Sequence, residues 1–204
     1  MVSVYDLKPR FQALLRPLAR ALVRLGATPN HITCAALLGS LAVGACLAWR
    51  GPERLSFALL PTWLFVRMAL NALDGMMARE HDMTSPAGAV LNEVGDVVSD
   101  AVLYVPLAFL APAALWSAVA FALAGGLTEV AGLHAQALGA GRRYDGPMGK
   151  SDRAFVVGAL GLFAAIWPQT TGAWPIVLAS GAALGVWTTA RRAAKALTIL
   201  RERA

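Results

Sequence analysis

Carboxylates and carboxamides are concentrated between Asn71 and Asp100, in a chain that is otherwise apolar. Asn71 and Asp74 lie three residues apart, and Asn92 and Asp96 lie four apart. Glu93 and Asp100 stand beside the second pair, and Arg67 and Arg79 bracket the first. A charged side chain inside a membrane span costs at least ~2.5–3.5 kcal/mol, so it is kept where it faces a polar cavity or an opposite charge. Carboxylates that converge without an equal number of cations need a positive charge among them. Carboxylate and amide oxygens suit Mg²⁺, Mn²⁺ or Ca²⁺ better than zinc.

Two helices must position these groups. Arg67, Asn71, Asp74 and Ala78 follow steps of four, three and four, and Gly88, Asn92, Asp96 and Asp100 follow steps of four. Each set therefore lies on one helix face. A short loop, EHDMTSP, joins the helices and makes them antiparallel neighbours. Asp74 precedes Arg79 by five residues and Asp96 follows Pro86 by ten. At ~1.5 Å per residue, both carboxylates fall in the same half of a bilayer. The pattern predicts a polar cleft lined by Asn71, Asp74, Asn92 and Asp96, with Gly75, Ala78 and Gly88 thinning its walls.

Composition supports a membrane setting. Of 204 residues, 57% are hydrophobic and only 15% are charged, whereas about a quarter are charged in a soluble domain. The apolar residues fall into six blocks of about the ~20 residues that cross a bilayer. The expected architecture is all-α, with six transmembrane helices preceded by an amphipathic interfacial helix. Residues 1–29 form the interfacial segment, 30–195 the transmembrane domain and 196–204 a basic tail.

The net charge of +6 sets topology; it does not build a nucleic-acid surface. Lys8, Arg10, Arg16, Arg20 and Arg24 precede the first span, and Arg191, Arg192, Lys195, Arg201 and Arg203 follow the last. Arg79, Arg142, Arg143, Lys150 and Arg153 fall in loops on the same side, and the opposite side has Arg50 and Arg54. This bias places both termini, and the mouth of the cleft, in the cytoplasm. Cys34 and Cys46 share one predicted span and cannot form a disulfide. No cleavable signal is expected.

Between Leu7 and Leu25, Phe11, Leu14, Leu15, Leu18, Leu22 and Leu25 recur at helical spacing, opposite Arg16, Arg20 and Arg24. That is the pattern of a helix lying on a membrane, and a partner-binding helix shares it. The predicted spans run from about His31 to Trp49, Ser56 to Arg79, Pro86 to Leu110, Ala114 to Leu138, Ala154 to Trp167, and Ile176 into the basic tail. Gly181 and Gly185 would let another helix, or a second copy, approach closely.

The sequence Asp74-Gly75-x-x-Ala78-Arg79, then Gly88, Asn92 and Asp96, resembles the signature of the CDP-alcohol phosphotransferases. The family pattern has Asp at the positions of Asn71 and Asn92. TPNHIT before the first span, VVS after Asp96 and GPMGKSDR before the fifth also resemble family segments. The resemblance implies a six-helix membrane enzyme, commonly a homodimer, of the cell membrane with its site open to the cytoplasm. It would transfer a phosphatidyl-type group from a CDP-linked lipid to an alcohol and release CMP. The resemblance implies Asp96 as general base and Asp74 as metal ligand, with Arg79 on the nucleotide phosphate. Gly75, Ala78 and Gly88 would let the CDP moiety approach the backbone. Four family carboxylates hold two metals. Here Asn71, Asp74, Asn92 and Asp96, with Glu93 or Asp100 in reserve, would hold one or two ions of Mg²⁺ or Mn²⁺. Arg142, Arg143, Lys150 and Arg153 are candidates for an acceptor phosphate or lipid headgroup.

Plainer readings stand beside these. Arg67 and Asp100 match in depth and suit a structural ion pair. Glu129 could pair with Arg67 or line a lipid site. His31, His81 and His134 are interfacial or loop groups, and the Arg142–Arg153 cluster could serve topology alone. A prenyltransferase would show two Asp-rich motifs and more spans. A transport or binding protein retaining the fold is the remaining alternative.

Overall fold

The computed structural model describes residues 4–203. Residues 1–3 and 204, at the ends of the predicted interfacial segment and tail, lie outside that range. Among the described residues every regular element is helical: α1 (Val4–Arg24), α2 (Pro29–Arg50), α3 (Arg54–Glu80), α4 (Pro86–Tyr104), α5 (Leu107–Leu110), α6 (Leu115–Ala137), α7 (Lys150–Ile166) and α8 (Trp174–Arg201). Short 3-10 turns at Pro112–Ala114 and Pro168–Ala173 precede α6 and α8. Four segments are long and apolar enough to cross a bilayer: Pro29–Arg50, Arg54–Glu80, Pro112–Ala137 and Pro168–Arg201.

The predicted boundaries hold within a few residues, with two differences. The third predicted span is not one helix, because α4 stops at Tyr104 and α5 starts only at Leu107. Pro106 explains the break, since it has no N–H to donate and disfavours a helical residue before it. At the other end, α8 runs on to Arg201, so most of the basic stretch set apart by charge is helix.

The chain divides into two compact units. Unit one comprises residues 1–41 and 63–99, and unit two comprises residues 42–62 and 100–204.

In unit one, Leu15, Ala19, Leu22 and Val23 of α1 pack with Leu70, Leu73, Met76 and Met77 of α3 and with Ile32 of α2. Arg16 adds a two-pronged bond to Glu80, donating from Nη2 to Oε1 at 3.0 Å and from Nε to Oε2 at 3.0 Å. The apolar face read from the sequence is therefore split. Leu15 and Leu22 face protein, while Leu14, Leu18 and Leu25 stay exposed. α1 ends at Gly26, whose φ of +79° is the left-handed conformation that glycine adopts without strain. α2 restarts three residues later, with Pro29 as its first residue, where its missing N–H costs nothing. Thr28 Oγ1 accepts from His31 N at 3.4 Å, and Thr28 N donates to His31 Nδ1 at 3.3 Å. His31 thus caps a helix.

Unit two is built on small residues. Apolar surface gains little by leaving lipid, so helices in a bilayer associate through close backbone contact. A Cβ at Gly185 of α8 would lie 2.9 Å from the Ala124 Cβ of α6, and one at Gly181 would strike the Phe121 ring. The close approach expected at Gly181 and Gly185 is thus made within the chain. Gly161 of α7 meets Leu60 and the Phe57 carbonyl of α3 in the same way. Gly185→Leu is expected to destabilise the protein by about 1–3 kcal/mol through overpacking, read as a lower melting temperature in detergent. Gly185→Ala should cost visibly less.

Candidate functional site

Of the predicted acidic face, Asn71 and Asp96 meet in unit one. Asp74, on α3, is 6% exposed. Its Oδ2 accepts from Thr33 Oγ1 of α2 at 2.9 Å. Asp96, on α4, accepts at Oδ1 from Asn71 Nδ2 and Arg67 Nη2, each at 3.3 Å. Arg67 Nη2 also donates to the backbone carbonyl of Asp96 at 3.1 Å. The steps of four, three and four along α3 thus bring Arg67 and Asn71 to one carboxylate across the helix pair. Asn92 and Glu93 are half-buried on α4.

Polar side chains lie close over the backbone at Gly88 and Gly75. A Cβ on Gly88 would come 2.7 Å from Asn30 Oδ1 and 2.9 Å from Ser85 Oγ. Ser85 Oγ itself accepts from Gly88 N at 3.0 Å, anchoring the first turn of α4. A Cβ on Gly75 would meet the Arg79 guanidinium at 3.0 Å, so that group lies over bare backbone. Ala78 is half-buried and Arg79 exposed.

Carboxylate and amide oxygens, the donor types that α3 and α4 carry, suit a hard cation. Mg²⁺ in particular takes one or two carboxylates and completes its shell with water and substrate phosphate. Among the described residues, no three His, Cys, Asp or Glu side chains gather into a protein-only metal cage.

The predicted basic cluster lies in unit two and is more deeply buried than its sequence suggests. Arg153 is 2% exposed. It donates to Asp100 Oδ2 from Nη2 at 2.9 Å and from Nε at 3.1 Å, and to Glu129 Oε1 at 3.2 Å. Its Nη1 reaches Thr128 Oγ1 at 2.9 Å and the Met148 carbonyl at 3.2 Å. Arg142 Nη2 donates to Glu129 Oε2 at 3.0 Å. Glu129, left open between two roles by the sequence, is thus a shared anchor for the arginines of its own unit. Arg143 pairs with Asp145 at 2.6 Å, and Lys150, at the start of α7, is half-buried. The glycine-rich loop is shaped by Gly146, whose φ of +97° places it against Thr188, and by a bond from Thr188 Oγ1 to the Pro147 carbonyl.

Arg192 and Lys195 belong to this cluster, although sequence reasoning assigned them to topology. Arg192 is 2% exposed and donates to the carbonyls of Thr128 and Asp145 at 2.5 Å and 3.2 Å. A signal was available: Gly181, Gly185, Thr188 and Arg192 follow steps of four, three and four along α8, the face that α8 buries. Lys195, hydrogen-bonded to Asp145, and Arg143 beside it hold that carboxyl below its ordinary pKa. This contribution to stability is present above the unfolded carboxylate pKa and is lost as pH falls through the lowered folded value. Thr33 was also overlooked. It lies in a quoted motif, but nothing in the sequence shows that it reaches Asp74.

The sequence matches the family model for CDP-alcohol phosphatidyltransferase over residues 26–188, and the chain belongs to that family. It is accordingly a phosphotransferase of phospholipid biosynthesis and a multi-pass membrane protein. The inner membrane protein YnbA of Escherichia coli K12 is 43% identical over 201 residues, which cover 98% of this chain and all of that protein. A phosphatidylinositol phosphate synthase of Mycobacteroides abscessus is 30% identical over 180 residues, covering 83% of this chain and 80% of the relative. The same fold occurs in the Mycobacterium tuberculosis phosphatidylinositol phosphate synthase. Its structure with CDP-DAG bound has a TM-score of 0.75 at 23% identity, covering 89% of this chain and 92% of that one. The structure of that synthase with manganese and citrate has a TM-score of 0.75 at 22% identity, covering 89% and 88%.

Proposed function

We propose that the chain transfers a phosphatidyl-type group from a CDP-linked lipid such as CDP-diacylglycerol to an alcohol, releasing CMP. The observation that carries this reading is the convergence on Asp96 of Arg67 and Asn71, with Asp74 buried on the same α3 face in the family motif. Structures of a related synthase with CDP-DAG and with manganese support the donor and the metal.

Asp74, with Asn71, Asn92 and Asp96 as further oxygen donors and Glu93 in reserve, would hold Mg²⁺ or Mn²⁺. Such an ion supplies charge neutralisation to a transferring diphosphate. Arg79 meets the nucleotide phosphate, and Gly75, Ala78 and Gly88 admit the CDP moiety against bare backbone. Asp96 accepts the proton of the acceptor hydroxyl as its oxygen bonds to the lipid phosphorus, and the bond from phosphorus to the CMP oxygen breaks. Positioning and electrostatics dominate such transfers. In unit two, Arg142, Arg143 and Lys150 offer charge to an acceptor phosphate or a lipid headgroup, with the buried Arg153 and Arg192 behind them.

α4 and α7 complete six crossings. α4 carries Glu93, Asp96 and Asp100 along its length, and α7 has 17 residues, so composition and length hide them as spans. The distribution of Lys and Arg places both termini and the site on the cytoplasmic side of the cell membrane. The enzyme works as a homodimer, as the family resemblance implies.

The test is CMP release by purified protein supplied with CDP-diacylglycerol, Mg²⁺ or Mn²⁺ and a panel of free and phosphorylated alcohols. Metal-dependent release with one acceptor class supports the reading. No turnover, together with no melting shift on adding CDP, would leave a fold without catalysis.

A further inference from the structure

Arg143 sits half-buried in the loop between α6 and α7. With Arg142, Tyr144 and Asp145 it lines an open cavity of about 360 Å³, a volume in the range that takes small ligands. Its backbone is seated on α6, because a Cβ on Gly132 would lie 2.8 Å from the Arg143 carbonyl oxygen. Its guanidinium is gripped two residues further on. Nε donates to Asp145 Oδ2 at 2.8 Å, and Nη2 lies 2.6 Å from the same oxygen. An arginine on a loop samples many rotamers, and a fork held at two nitrogens keeps few of them.

Asp145 is fixed in turn by α8. Lys195 Nζ donates to its other oxygen, Oδ1. Arg192 Nε donates to its carbonyl at 3.2 Å, and Thr188 Oγ1 donates to the Pro147 carbonyl two residues later. Gly146 lies so close to Thr188 that a Cβ there would come within 2.9 Å. Thr188, Arg192 and Lys195 follow steps of four and three, so one face of α8 holds the loop at three successive residues. The charges are unequal, because two cations share one carboxylate. Asp145 therefore aims Arg143 without cancelling the charge of the cluster.

We propose that Asp145, held by Lys195, is a positioning residue that aims the Arg143 guanidinium at the phosphate of the acceptor. This rests on the acceptor-phosphate reading above and deepens it. Arg143 meets the anion, and Asp145 and Lys195 act through Arg143. Preorganisation of this kind lowers the ordering cost of binding and adds no new contact to the ligand.

The test titrates inorganic phosphate into purified protein in detergent, with chloride holding the ionic strength constant, and reads affinity from the rise in melting temperature. Arg143→Gln is expected to weaken phosphate binding. Asp145→Asn and Lys195→Met are expected to weaken it too, by up to about 30-fold, the scale of the rotamer freedom an arginine regains. Lys195→Arg should bind as the wild type does. The sign at Asp145 decides, because removing a negative charge beside an anion tightens binding unless that charge positions the cation. Tighter or unchanged binding by Asp145→Asn would therefore overturn the proposal. So would a further loss when Lys195→Met is added to Arg143→Gln, since a positioning residue acts only through Arg143. That double change decides alone should Asp145→Asn fail to melt cooperatively. No phosphate-dependent shift in the wild type would also overturn it. Metal-dependent CMP release onto a free alcohol by the same preparation would then show the transfer reading still standing.

Discussion

Replacing Asp96 with Asn is expected to cut CMP release by roughly 10²- to 10⁴-fold, the usual contribution of a positioned general base. The protein should still fold. Asparagine has the same shape, and its amide oxygen can accept from Arg67 and Asn71 as Oδ1 does now. Arg67 also keeps the backbone carbonyl of residue 96, which no substitution removes. Proton acceptance is lost, because an amide is not a base at neutral pH. The control is Asp74→Asn, which should also lose activity but recover part of it when Mn²⁺ is raised, as expected of a weakened metal ligand. Asp96→Asn should not recover at any Mn²⁺ concentration. A variant at residue 96 that retained turnover would move the base elsewhere. Rescue of both variants by Mn²⁺ would make Asp96 chiefly a metal ligand and not the base.

Much of this was legible because membrane helices write their faces plainly. Steps of three and four in an apolar background mark Asn71, Asp74 and Asp96, and the structure brings Asn71 to Asp96 as spacing requires. Helix limits were equally visible, since Pro29, Gly26 and Pro86 stand where the chain must start or stop a helix. Partner choice was only partly visible. Matching depth sets Arg67 level with Asp100, and nothing in the spacing shows that within their own units Arg67 also reaches Asp96 and Asp100 also takes Arg153. Depth along the membrane normal is one coordinate of three, and rotation about each helix axis decides the rest. Arg153 illustrates the same limit. In sequence it reads as a loop cation obeying a topology rule, but it is buried because its guanidinium finds Asp100 and Glu129 from two other helices. Pro106 was a readable break in the third span that apolar length concealed.

Arg153→Met is expected to destabilise the protein by about 3–5 kcal/mol, the cost of removing one partner from a buried ion pair. The side chain gives hydrogen bonds to Asp100, Glu129, Thr128 and the Met148 carbonyl. Its aliphatic stem also lies against Gly125, where a Cβ would meet Arg153 Cδ at 3.0 Å. Methionine refills that volume, so the loss isolates charge and hydrogen bonding. Asp100 and Glu129 then lose a guanidinium they share. The double change Arg153→Met with Asp100→Asn should therefore cost less than the sum of the single changes, a coupling that melting in detergent would measure. Additive losses would mean that the two side chains act independently, and that the 2.9 Å contact contributes little. Arg143→Gln provides the comparison for function, because that side chain is only half-buried. It should lower stability by only about 1 kcal/mol or less, the range for a partly exposed ion pair, and raise the KM for a phosphorylated acceptor. Arg153→Met lowers stability whichever acceptor is used, so the pair separates a scaffold of charges from the surface that meets substrate.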